Sequence, residues 1–353
     1  MKQFHLSFTD LKTHLAKIRK PDFNNLLKVL KNEKPDRFTL FEFFLNRPLY
    51  QALAGYERIP TEKNDYIRML IEAHKNAGYD YTTIQGSDFS FPRLGDHSKQ
   101  TISINESGGI HDWESFEKYP WPDPNSFDYS RLEKTAEDLP EGMKFIIWGH
   151  GGVLENVITL VGYENLCYML VDEPDLAAEL FNAVGSRFVK YYEISAQYDS
   201  VGALISNDDW GFNTQTMLST EDMRKYVIPW HKKIVEVIHA QNKPAILHSC
   251  GKPDKVMDDI VDEIGFNAKH SYEDNIIPVE QAYEKWGSRI AILGGIDMDY
   301  VCRSTPEEVY NRASAMLERS KVRGGYALGS GNSIPEYVPW ENYLAMIAAA
   351  VYN

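Results

Sequence analysis

Short apolar runs recur along the chain, spaced so that a helix fits between most of them. Phe38–Phe44 and Tyr79–Gln85 read as strands, and between them Asn64–Asn76 carries helical spacing that stops at Gly78. A third run, Met143–Gly149, leads into His150-Gly151-Gly152, and a fourth spans Ala203–Trp210 after a long helical stretch from Leu176 to Tyr198. The fifth, Pro244–Gly251, follows a helix expected over Thr220–Ala240, where Ser219 supplies an N-cap and Glu221 and Asp222 place acids in the first turn. Phe266–His270, Ile290–Asp297 and Tyr326–Gly331 complete the series, with helices expected at Asp254–Ile264, Thr305–Arg319 and Trp340–Val351. Eight strands with helices between them predict an α/β fold, a (β/α)8 TIM barrel. The competing open doubly wound sheet would carry a glycine-rich turn between its first strand and first helix, and this sequence has none there.

Two stretches depart from that rhythm. Residues 1–36 place Leu6, Phe8, Leu11, Leu15 and Ile18 near helical spacing before Pro21, which predicts a helical N-terminal cap. Residues 86–140 are rich in Ser, Pro, Asp and aromatics, without clear periodicity. A long insert after the second strand reads as a loop over the face where barrel sites form. The expectation is one domain over 1–353 that contains both.

Composition changes this picture little but narrows the partners. The 353 residues are 43% hydrophobic and 25% charged, enough for a large core, and the net charge of −14 disfavours nucleic acid and anionic membranes. Three cysteines make no disulfide framework, and the sequence offers neither a signal-peptide pattern nor a bilayer-length apolar run, so the expected location is cytoplasmic.

Barrel chemistry sits at the C-terminal ends of the strands. Read that way, the ends offer Glu42, Gln85, His150, Asp208 and Asp209, His248 and Cys250, His270, Asp297, and Ser330 with Asn332. The pair His248 and Cys250 stands out, because residues two apart on a strand face the same side and zinc accepts both imidazole and thiolate. The bland alternative is a buried structural thiol beside a satisfied histidine. A catalytic zinc takes three protein ligands, and His270, Asp209 and Glu42 are the candidates for the third. Asp208 and Asp209 are adjacent, so at most one is expected to face the centre and serve as acid, base or substrate anchor. Glu42 is a further catalytic candidate. Gln85, Asp297, Ser330 and Asn332 are candidates for substrate binding, with Gly294-Gly295 and Gly329-Ser330-Gly331 allowing close backbone approach.

Ile246-Leu247-His248-Ser249-Cys250-Gly251, Gly294-Gly295-Ile296-Asp297, Ser304-Thr305-Pro306-Glu307-Glu308-Val309 and the closing Val338–Met346 together resemble the uroporphyrinogen decarboxylase superfamily. More narrowly they resemble its corrinoid-dependent methyltransferase branch, whose fold is a TIM barrel. The resemblance implies that His248 and Cys250 match two zinc ligands, with a third, a Cys, in a Gly-Cys-x-Ile-Pro pattern. Here that pattern reads Gly331-Asn332-Ser333-Ile334-Pro335, a departure that leaves the third ligand open. It further implies methyl transfer between a small molecule (a thiol, methoxy or methylamine compound) and a corrinoid on a partner protein. The alternatives are a decarboxylase-like lyase and a non-catalytic corrinoid or tetrapyrrole binder. Against porphyrinogen decarboxylation, Phe38–Gly55 is apolar and offers only Arg47 to a substrate with many carboxylates.

Overall fold

The computed structural model describes residues 7–10, 13, 15, 19–93, 104–105 and 109–352. Seven parallel strands follow one another in chain order: β1 Tyr81–Gln85, β2 Lys144–Trp148, β3 Val201–Asn207, β4 Ala245–His248, β5 Ala268–His270, β6 Ala291–Leu293 and β7 Tyr326–Ala327. They form a curled TIM-barrel-like sheet. The strands are nearly all buried, as expected when side chains fill one face and helices cover the other. Among the helices that cover it are Lys63–Ala77, Pro174–Ala196, Ile228–His239, Pro306–Ser320 and Trp340–Tyr352.

The strand count is the main correction to the sequence reading. Phe38–Phe44 lies between β7 and β1 but, together with the next residue Leu45, joins the sheet by isolated bridges, Leu40 to Leu328 and Leu45 to Ile334. On its β1 side a side chain does what a neighbouring backbone would do. The Tyr81 hydroxyl accepts from the Glu42 N–H at 2.7 Å and donates to the Glu42 carbonyl at 2.8 Å, and Thr83 Oγ1 donates to the Phe43 carbonyl at 2.6 Å. With its backbone groups satisfied by hydroxyls, the run needs no ladder there.

Parts of two other expectations fall outside the described residues. Within 1–36 the structure has a helix at Phe23–Leu30, capped by the Asp22 carboxylate, while Leu6, Leu11 and Ile18 of the expected cap lie outside. Within 86–140, where residues 94–103 and 106–108 lie outside, the chain makes short helices at Trp113–Lys118 and Arg131–Lys134. Two helices that the sequence reading did not mark, Val153–Val161 and Tyr163–Asp172, follow β2. Among the described residues no helix is long and apolar enough to cross a membrane.

Candidate metal centre at the strand ends

Strand register assembles the site. His248 ends β4 and pairs with Asn207 on β3 and with His270 on β5, so the two imidazoles stand side by side. Their Nδ1 atoms are 2.8 Å apart, and His270 Nε2 lies 3.3 Å from the Ser330 carbonyl. Only one tautomer chain satisfies both contacts. His270 donates from Nε2 to the carbonyl, accepts at Nδ1 from the Nδ1–H of His248, and leaves the lone pair of His248 on Nε2. Burial keeps both rings neutral, holding His270 down to about 3 and His248 well below its ordinary value. Behind them, Ser330 donates its N–H and hydroxyl to the two oxygens of Glu42 at 2.7 Å each. Burial pushes the Glu42 carboxyl up to about 8 against the pull of those two bonds.

Close backbone contact fixes Cys250. Gly251, the next residue, has φ +82°, and a Cβ there would sit 2.0 Å from the Gly211 carbonyl oxygen. The chain leaving Cys250 therefore touches the chain leaving Asp209. The Cys250 N–H donates to Asp209 Oδ1 at 2.9 Å. The ligand atoms of Asp209, His248 and Cys250 all lie within 4.8 Å of one another, the one such group among the described residues. Asn332 Nδ2 is 3.3 Å from the Cys250 sulfur, and Ser271 Oγ is 3.6 Å from it.

The adjacent acids go different ways. Asp208 accepts from the backbone N–H groups of Leu154 and Glu155 at 2.9 Å, from Trp210 Nε1 at 3.1 Å and from His231 Nε2 at 2.8 Å. It thus anchors the start of the helix Val153–Val161, and Gly152 leaves room for it, since a Cβ there would fall 2.1 Å from Asp208 Cβ. Asp297 likewise caps the helix Met298–Arg303 through the Tyr300 N–H at 2.9 Å and holds the Asp274 N–H at 2.9 Å. Gln85 stands apart from the cluster, with Nε2 2.9 Å from His150 Nδ1.

Glu155 escaped the sequence reading. Burial first, then Asp208 and Asp209, push its carboxyl up to about 8, and it accepts from the Gly152 N–H at 3.0 Å. Its only sequence signal is an acid three residues past Gly152; the turn that carries it to the acids is tertiary.

The electrostatics of the cluster favour a cation. Burial, then the Asp209 charge, raise the Cys250 thiol to about 12, so an anionic sulfur beside Asp209 is costly. Lys269 is the nearby basic group, fully buried and lowered to about 8 by desolvation, with Nζ donating to the Ser249 and Ser271 carbonyls at 3.2 and 2.8 Å. A divalent ion between sulfur, carboxylate and imidazole reverses the sign of that repulsion and deprotonates a thiol outright. The donor set of one S, one N and one O suits zinc.

Residues 109–351 match the uroporphyrinogen decarboxylase (URO-D) family profile. The chain belongs to the uroporphyrinogen decarboxylase family. A uroporphyrinogen decarboxylase of Geobacter sulfurreducens is 26% identical over 186 residues, 52% of each chain, so the match spans about half the length of that curated relative. Among solved structures, a methyltransferase from Methanosarcina mazei superposes with a TM-score of 0.67 at 16% identity, covering 96% of this chain and 98% of that one. A putative vitamin-B12 independent methionine synthase from Listeria monocytogenes follows at a TM-score of 0.53 and 12% identity, over 90% and 98%. At these identities the two structures establish a shared fold. Within this family fold the Asp209–His248–Cys250 group lies where β3 and β4 end.

Proposed function

We propose that the protein is a zinc-dependent methyltransferase that moves a methyl group between a small molecule and a corrinoid carried by a partner protein. The observation that carries this reading is the convergence of Asp209, His248 and Cys250 at the ends of parallel strands. These three residues would hold the ion, the usual number for a catalytic zinc with an open position. Zinc bound there lowers the pKa of a thiol or polarises a heteroatom carrying the methyl group.

The rest is done by the chain's own residues. His270, fixed by the Ser330 carbonyl, holds His248 in the tautomer that presents Nε2, and Glu42 holds Ser330. Such outer partners orient ligands and tune their basicity. Asn332, in the position where the family branch carries Cys, places an amide on the Cys250 sulfur, so Asp209 takes the third ligand role. Glu155 keeps a proton on its carboxyl up to about pH 8 beside Asp208 and Asp209, which gives the site an acid at neutral pH.

The Geobacter relative favours a second reading, decarboxylation of a porphyrinogen. The scarcity of arginine along Phe38–Gly55 weighs against it, because many substrate carboxylates would go unpaired. The test supplies methylcobalamin with a panel of small thiols, and cob(I)alamin with methoxyarenes and methylamines, following corrinoid absorbance. The proposal expects methyl transfer with one of these, abolished by a chelator and restored by zinc. Chelator-resistant transfer, or carbon dioxide release from uroporphyrinogen without transfer, would overturn it.

A further inference from the structure

Among the described residues Lys269 is the one buried lysine, at 1% exposure. It stands on β5 between Ala268 and His270. Side chains alternate along a strand, so Lys269 and His270 leave it on opposite faces. Its ammonium nonetheless reaches the metal cluster, where Nζ donates to the Ser249 carbonyl at 3.2 Å and to the Ser271 carbonyl at 2.8 Å. Ser249 separates His248 from Cys250, and Ser271, its Oγ 3.6 Å from the Cys250 sulfur, follows His270. One cation thus draws together the chain leaving β4 and the chain leaving β5, where the cluster forms.

A buried ammonium is costly unless a carboxylate meets it. Lys269 has no ion pair among the described residues; besides the two carbonyls, the Tyr272 ring centroid lies 4.5 Å from Nζ. The cavity that Lys269 lines, walled also by Tyr272, Ile277 and Trp286, measures about 10 Å³, the space of one water. Bulk solvent therefore screens this charge little, and its field extends to the cluster. The anions that act on it most are Cys250 and then Asp209; Glu273 and Asp254 come after them, and Asp254 is already paired with Lys285 at 2.9 Å. Ionised Asp209 and Cys250 would cancel the two charges of a zinc ion, and His248 is neutral. The nearby Asp208 already accepts from four donors. The Lys269 ammonium is then the charge left behind the open coordination position.

We infer that Lys269 determines the specificity of the metal centre, its buried ammonium favouring an anion over a neutral molecule at the open position. The inference rests on the methyl-transfer reading and deepens it, ranking a thiol or methoxy compound above a methylamine, but it is measured by binding without turnover. The full chain, reconstituted with cobalt(II), is titrated at pH 7 with azide, an anion, and with imidazole, a neutral ligand, and visible absorption gives the two affinities. In the wild type azide should bind tighter than imidazole. Lys269→Met, which keeps the side-chain length, and Lys269→Gln, which keeps a donor, should each weaken azide about tenfold, the effect of one unit charge roughly 10 Å away in a protein interior. Imidazole affinity and cobalt content should stay as they were, whereas a merely structural Lys269 would weaken both ligands together. Imidazole binding the wild type as tightly as azide, an equal loss of both ligands in the variants, or an unchanged azide affinity would overturn the proposal, and the wild-type comparison decides even where neither variant folds. A wild-type chain that takes up no cobalt would overturn the metal centre itself, and this inference with it.

Discussion

Replacing Glu42 by Gln should make the protein more stable at neutral pH, by an amount that grows with pH. Glu42 is fully buried, and its carboxyl is raised from 4.5 to about 8 by desolvation. Below pH 4.5 both folded and unfolded chains hold the proton, and the group costs nothing. As the pH climbs toward 8, the unfolded chain releases that proton and the folded chain keeps it, so folding loses about 1.4 kcal/mol per pH unit. The loss reaches about 3 kcal/mol at pH 7 and levels off near 5 kcal/mol above pH 8. Gln is the isostere of the protonated acid: its carbonyl accepts the Ser330 N–H and its amide can donate to Ser330 Oγ, preserving both contacts. Urea denaturation of the two proteins at several pH values between 4 and 9 reads the difference directly. The gap should be near zero at the acid end and open steadily to favour Glu42→Gln. A gap that does not change with pH, or a variant less stable throughout, would refute the claim that Glu42 is a neutral buried acid holding Ser330.

Two other outcomes follow from the same geometry. His270→Ala removes the acceptor that fixes the His248 tautomer. Zinc affinity should drop by about 10- to 100-fold, measured by chelator competition, while the sheet keeps its far-ultraviolet dichroism. Gly251→Ala forces a side chain at φ +82° against the Gly211 carbonyl 2.0 Å away. That variant should lose several °C of melting temperature or fail to fold, whereas Gly265→Ala, also at positive φ but with nothing within 4 Å, should lose less.

The parallel architecture was legible because its signals are local. Runs such as Ala203–Trp210 and Tyr79–Gln85 alternate with capped helices, and the helix read over Thr305–Arg319 appears at Pro306–Ser320. What the periodicity hid was Phe38–Phe44, whose apolar pattern is that of a strand but whose Glu42 and Phe43 backbone groups, on the β1 side, are taken by the Tyr81 and Thr83 side chains. His248 and Cys250 come together, but β4 ends at His248, so the position of Cys250 is set by its N–H bond to Asp209 and the turn at Gly251 and not by the two-residue period of a strand. The split between Asp208 and Asp209 was expected, but which acid faced which way depended on the helix Val153–Val161, and the sequence reading had not marked that helix. Glu155 was invisible for the same reason. Asp297, expected from its strand end as a substrate-binding candidate, also caps the helix Met298–Arg303 through the Tyr300 N–H.

The most direct test of the account is zinc content. Elemental analysis of the purified protein, reconstituted with zinc and desalted, should give one zinc per chain, lost in His248→Ala and in Cys250→Ala, both verified as folded. A reconstituted protein that retains no zinc, or variants that keep the wild-type stoichiometry, would contradict the assignment of Asp209, His248 and Cys250 as a metal centre.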